Sequence, residues 1–201
     1  FVLQMPTTES APNIPEFKPI QLLSDTFKEY NRWGRILGVN TVGRLNEIIA
    51  ANEIRDFVKV AEALHEKKIA AIADQIASNR NIKWILIAGP SSSGKTTFAE
   101  RLAIQLRVSG LRPVTLGTDN YFVDRAHTPR TPAGEYDFEH LHAVDVEVLN
   151  RDLAALDAGE EIDLPTFDFY TGSRLNKGRK LRLQEDQVVI LMGHRLQDST
   201  G

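Results

Sequence analysis

Residues 82–106 read IKWILIAGPSSSGKTTFAERLAIQL, and the fold of the whole chain follows from that stretch. Gly89-Pro-Ser-Ser-Ser-Gly94-Lys95-Thr96 is a full match to the phosphate-binding loop pattern G-x-x-x-x-G-K-[ST]. Before it stands Trp84-Ile85-Leu86-Ile87-Ala88, a short apolar run of buried-strand type. After it, Phe98, Leu102 and Leu106 recur at helical spacing, and Gly110 is placed to stop the helix. A chance match to the loop alone, in a chain of this length, is on the order of one per cent given ordinary residue frequencies, and the strand–loop–helix context lowers it further.

The residue types have a chemical reason. Gly89 and Gly94 permit backbone conformations and close approaches that a side chain forbids. Successive N–H groups from Ser91, Ser92, Ser93 and Gly94 through Thr96 and Thr97, with the positive end of the helix behind them, then face an anion. Lys95 is expected to reach the β- and γ-phosphates of a nucleoside triphosphate, and the Thr96 hydroxyl to hold Mg²⁺.

Composition excludes several other classes. The formal charge is -3, and no basic run resembles a nucleic-acid arm. With no cysteine there is neither a disulfide framework nor a thiolate metal site. No apolar stretch reaches the roughly 18 residues of a membrane span, and Phe1-Val-Leu-Gln-Met is too short and lacks the basic flank of a secretion signal. The expectation is a cytoplasmic protein without nucleic-acid or membrane partners, and a homo-oligomer is compatible with this composition. Because the chain begins without Met, a piece of a longer protein is expected.

Residues 1–20 carry Pro6, Pro12, Pro15 and Pro19 and read as an extended connector. Residues 21–52 read as short helices that bury Trp33, with an N-cap at Thr41. Residues 53–78 read as one long amphipathic helix carrying His65 as an ordinary helix residue. Past the loop helix, 112–117 is a second strand ending at Thr118-Asp119-Asn120-Tyr121, and 122–136 a long loop. Asp137 is placed to cap a helix with Leu141, Val144, Val148, Leu149, Leu153 and Leu156 on one face, closed by Gly159. Residues 162–170 and 181–183 form a hairpin around Gly172, and 187–191 is a further buried strand. Alternating strands and helices predict an α/β fold, a doubly wound parallel sheet of the P-loop NTPase type with a β-hairpin acceptor region, preceded by a helical segment. The division expected is an extended and helical connector over 1–80 and a phosphate-loop domain over 81–201, incomplete at its carboxyl end.

Ligands of such sheets collect at the carboxyl ends of the strands. Asp119, just after the second strand, is therefore placed to accept a proton from an attacking hydroxyl or to help hold Mg²⁺, unless it merely caps a turn.

GPSSSGKTT, TDNYF, EYDFEH, LPTFDFYTGSR and QVVIL, in that order over about residues 82–191, resemble the uridine–cytidine kinases and their phosphoribulokinase relatives. Residues 17–81, with WGRILGV, VGRLNEII and AEALHEKKIAAIAD, are similar to the connector of bacterial nucleoside-kinase-like proteins. Those proteins carry an extra amino-terminal region related to threonyl-tRNA synthetase, which is not among these residues. The resemblance implies ATP and Mg²⁺ as cofactors and a nucleoside as acceptor. It implies that Asp119 is the catalytic base toward the 5′-hydroxyl and that Lys95 acts on the phosphates. It places Tyr121 near the acceptor, Asp137 on the ribose hydroxyls with Tyr136 beside it, and Phe167 and Phe169 on the base. The simpler readings stand beside these: Asp137 as a helix cap, and the two phenylalanines as hairpin core.

Three positions depart from the family. Gly172 stands where the family has a histidine on the pyrimidine, and Phe167 where it has a tyrosine. Both losses imply weak base discrimination or another acceptor. Met192 stands where a Mg²⁺-binding glutamate is expected, and no arginine-bearing lid follows. A thioether is a poor ligand for a hard cation, so residues 192–201 read as a truncation or junction. Alternatives are a kinase for a sugar phosphate, served by the basic run Arg174, Lys177, Arg179, Lys180 and Arg182, and a non-catalytic ATP-binding module.

Overall fold

The structure, a computed structural model, describes residues 11–13, 21–90 and 92–193. The chain divides into two compact units, residues 1–65 and 66–201.

The second unit is built on three parallel strands, β1 (Trp84–Ala88), β2 (Arg112–Gly117) and β5 (Gln187–Gly193), in the order β1-β5-β2. Register pairs Ala88 with Gly193 and Gly117 with Met192, so the three carboxyl ends lie along one edge. Side chains alternate across the sheet. On one face Ile85, Ile87, Val188 and Ile190 meet Ala99, Leu102 and Leu106 of α4 (Lys95–Val108), together with Ile69 and Ala73. On the other, Leu116, Val189 and Leu191 meet Leu156 of α5 (Val146–Asp157), Ile162 and Leu164. Apolar layers on both faces make this the doubly wound α/β arrangement expected. Full burial of a side chain such as Leu106 or Ile190 is worth about 1.5–3 kcal/mol. Strand β1 departs from the buried-strand reading. Its one neighbour among the described residues is β5, and Leu86 is 74% exposed.

Two further boundaries differ from expectation. Helix α5 begins at Val146, and its N-cap is Asp145, whose Oδ1 accepts from Val148 N at 3.1 Å. Asp137 caps no helix; its carboxylate accepts from Glu139 N and His140 N and closes a turn. Leu141 falls in a separate 3₁₀ turn, and Val144 bridges to Phe122, because these residues pack as loop against the hairpin. The hairpin itself forms as predicted, β3 (Ile162–Asp168) antiparallel to β4 (Ser173–Leu181). A register shift sits between Leu164 and Thr166, where Pro165 has no N–H to give the ladder. The hairpin is held to the rest of the unit by Arg174. Its Nη2 donates to Tyr121 O, Phe122 O and Asp145 Oδ2, the last at 3.0 Å.

In the first unit, α1 (Gln21–Leu37) is a single helix of 17 residues, longer than expected, and α2 (Val42–Ala50) starts at the predicted N-cap Thr41. Trp33 is only partly buried, while Phe27, Tyr30 and Ile36 are exposed. Helix α3 (Ile54–Ser78) is continuous over 25 residues, as its apolar stripe predicts. The connector expected over residues 1–20 lies outside the described residues except for 11–13. Among the described residues no helix is long and apolar enough to cross a membrane.

Substitutions at two positions test this packing. Asp145→Ala removes the α5 cap and strands a part-buried guanidinium, and is expected to lower unfolding free energy by about 2–3 kcal/mol in urea titration. Asp145→Asn, which keeps the cap oxygen, should cost about 1 kcal/mol. Thr118 is buried, and its hydroxyl has no hydrogen-bond partner among the described residues. Thr118→Val therefore should leave Tm unchanged or raise it, removing up to about 1–2 kcal/mol of desolvation cost.

Candidate active site

The phosphate loop leaves β1 at Ala88 and turns through Ser92 (φ 57°) into Gly94 (φ 83°), the residue before α4. Ser92 and Gly94 thus both take the left-handed conformation, which at Gly94 carries no side-chain penalty. At Gly89 the constraint is a close approach. A Cβ there would lie 2.9 Å from Ser93 Oγ. The Lys95 ammonium folds back over this loop, donating to Gly89 O at 2.9 Å and Pro90 O at 2.7 Å. Ser92, Ser93, Thr96 and Thr97 are exposed along the same turn. Ser91 lies outside the described residues.

Asp119 sits in a single 3₁₀ turn, Thr118–Tyr121, that continues directly from β2. Since β5 alone separates β1 from β2, the loop and Asp119 stand about two strand spacings apart, on the order of 10 Å. Between them is the end of β5, where a Cβ at Gly193 would lie 3.0 Å from Thr118 Oγ1. The donor set suits a hard cation in part. Thr96 offers a hydroxyl and Asp119 a carboxylate, whereas Met192 brings a thioether to the same edge. Mg²⁺ that arrives on phosphates needs only one or two protein oxygens, so Thr96 and Asp119 are adequate candidates to hold it.

The expected acceptor residues fall into two groups. Tyr121 is fully buried in a cluster with Phe122, Ala143, Val144, Leu149 and Phe167, and does not line an open surface. Burial, and then the charge of the nearby buried Asp152, raise its hydroxyl well above the usual phenol range. Phe167 is buried there too, on the core side of the hairpin. Phe169 (58% exposed) and Tyr136 (38%) are open. Rings run between them in contact: Tyr136 with Phe138 at 6.2 Å, Phe138 with Phe122 at 5.2 Å, and Phe122 with Phe169 at 6.2 Å. Asp137 adjoins Tyr136, its carboxylate already holding the turn.

Two basic residues here were not singled out by sequence. Arg130 lies over Tyr136, its guanidinium carbon 4.3 Å from the ring centroid. Arg125 donates from its backbone N to Gly172 O at 2.8 Å and from Nη2 to Phe169 O at 2.6 Å. Neither belongs to a spacing pattern; Arg130 acts within its own loop, and Arg125 acts across the fold. The basic run of the hairpin does not converge on one place: Arg174 is used internally, Lys180 pairs with Glu161, and Arg182 donates to Gly159 O.

This arrangement can be set beside known proteins. A profile of the Phosphoribulokinase / Uridine kinase family matches residues 84–196, more than half of the chain. The uridine kinase of Chloroflexus aurantiacus is 38% identical over 106 residues, 53% of this chain and 48% of that protein. The uridine kinase of Chloroflexus aggregans is 40% identical over the same length. The chain thus spans about half the length of the curated relatives it matches. The solved structure of a possible uridine kinase from Bacillus stearothermophilus superposes with a TM-score of 0.55 at 27% identity, covering 66% of this chain and 73% of that one. With the family match covering more than half of its length, the chain belongs to the phosphoribulokinase/uridine kinase family of P-loop kinases.

Proposed function

We propose that the protein transfers the γ-phosphoryl group of ATP to the 5′-hydroxyl of a ribonucleoside. The observation that carries this reading is the placement of Asp119 at the carboxyl end of β2, one strand away from the phosphate loop. A carboxylate there stands on the same edge as the phosphates, where it can take the proton of an attacking hydroxyl. Lys95 and the loop N–H groups would stabilise charge on the transferring group, and Gly94 aims the first turn of α4 at it. Mg²⁺ held by Thr96 and Asp119 would neutralise the phosphates when bound. Because little covalent chemistry falls to the protein in such a transfer, positioning and charge are the main contributions.

The exposed ring of Phe169 and the ring of Tyr136 suit a flat heterocycle better than a small sugar phosphate. Among the described side chains of the basic hairpin, Arg174, Lys180 and Arg182 are engaged at separate places and do not form a convergent set for an acceptor phosphate. One observation favours a second reading, an ATP-binding module without turnover: Met192 at the end of β5 supplies no oxygen to Mg²⁺.

Both readings meet one experiment, ADP formation from Mg-ATP with uridine, cytidine, adenosine, guanosine or no acceptor. Nucleoside-dependent turnover is expected, and Asp119→Asn should lower kcat by about 10²–10⁴-fold with ATP affinity largely unchanged. Lys95→Met should instead weaken ATP binding about ten- to a hundredfold, the worth of a hydrogen bond to a charged group. Full turnover in Asp119→Asn would overturn the assignment. ATP binding without acceptor-dependent turnover would establish the module.

A further inference from the structure

At the tip of the hairpin Gly172 is buried and held at φ 70°. A Cβ built there would lie 2.7 Å from Arg125 Nε and 2.8 Å from Arg125 Cζ and Cβ. The room that a side chain at 172 would enter is therefore filled by the guanidinium of Arg125. That guanidinium is fixed from two sides. Its own backbone N donates to Gly172 O, and Nη2 donates to Phe169 O. Its carbon lies 6.0 Å from the Tyr136 ring centroid. Arg125 thus stands half-buried, bonded to the backbone carbonyl of Phe169 and 6.0 Å from the ring centroid of Tyr136, the two residues that carry the exposed ends of the aromatic row.

We propose that Arg125 reads the edge of the acceptor base, so that the site prefers nucleosides whose base presents a carbonyl oxygen there over those that present an exocyclic amine. This deepens the nucleoside reading given above and rests on it. A flat ring stacked on the exposed Phe169 would turn its polar edge to the guanidinium, whereas the Tyr136 ring is already covered by Arg130 at 4.3 Å. Arginine has five N–H donors and no acceptor, and Phe169 O takes one of them. A keto group, as in uracil or hypoxanthine, accepts from such a fork. An amine, as in cytosine or adenine at the equivalent atom, faces donor with donor and leaves buried polar groups unpaired. Recognition by a site built to hydrogen-bond one group rejects the analogue that lacks it. A phosphate is the less fitting ligand, because Asp124, next in sequence and fixed by Arg174 N, brings a carboxylate to the same turn.

Uridine against cytidine and inosine against adenosine each exchange a keto oxygen for an amine, with the adjacent ring nitrogen changing from N–H donor to acceptor, so each pair inverts one donor–acceptor edge. Calorimetric titration of the chain with these four nucleosides and with ribose 5-phosphate, for the parent protein, Arg125→Met and Arg125→Lys, tests the inference, with far-UV circular dichroism to report folding. Uridine and inosine are expected to bind at least tenfold more tightly than cytidine and adenosine. In Arg125→Met each pair should fall within about twofold, and Arg125→Lys, a point charge without the fork, should lie between. Should Arg125→Met fail to fold, the Lys variant decides, since a purely structural arginine would leave the keto-to-amino ratio unmoved. A ratio unchanged by either folded variant, or absent in the parent protein, overturns this inference while leaving the nucleoside reading intact. Binding of ribose 5-phosphate alone, or of none of the five, overturns the nucleoside reading and this inference with it.

Discussion

Parallel pairing of β5 with both β1 and β2 is the constraint on which the rest of this molecule depends. Parallel strands point their carboxyl ends the same way, and a central β5 therefore gathers the phosphate loop, the Thr118–Tyr121 turn and Met192–Gly193 on one edge. The pairing holds because both faces of β5 are covered. Val188 and Ile190 are buried against α4 and α3 residues on one side, and Val189 against Leu116 and Leu156 on the other. Packing thus positions chemistry: every apolar contact that seats β5 also sets the spacing between loop and carboxylate.

The acceptor side is organised differently. A hairpin outside the main sheet is fastened by polar contacts as well as by the apolar packing of Ile162, Leu164 and Phe167. Arg174 is the polar fastening, with three acceptors on its Nη2, and Asp145 serves at once as its counter-ion and as the cap of α5. Breaking either role would move the hairpin and the helix together. The aromatic row from Tyr136 to Phe169 then spans from buried core to open surface, so the same rings that stabilise the unit reach the surface proposed for the acceptor.

Gly172 shows how one position changes meaning once neighbours are known. By sequence it is the loss of a polar contact. In the structure it is the reason that Arg125 can occupy the hairpin tip, because any side chain at φ 70° there would collide with the guanidinium. Met192 has no such compensation: the described residues at the end of β5 add no hard oxygen in its place.

What the sequence determined by itself is whatever depends on neighbours in the chain. The loop pattern, the strand Trp84–Ala88, helix α4 with its stop at Gly110, the cap at Thr41 and the length of α3 are all set by local spacing, and all are found where that spacing puts them. The start of α5 was misjudged because Asp137 and Asp145 are equally good caps by residue type, and only the pairing of Phe122 with Val144 leaves 137–144 outside the helix. Leu86 was taken as buried because an apolar run does not reveal whether a strand has one neighbour or two. The burial of Tyr121, the engagement of Arg174 and the position of Arg125 over Gly172 join residues 24 to 53 positions apart in pairs such as Tyr121–Asp145 and Tyr121–Arg174. Such contacts carry no periodic signature, and the tertiary fold alone decides them.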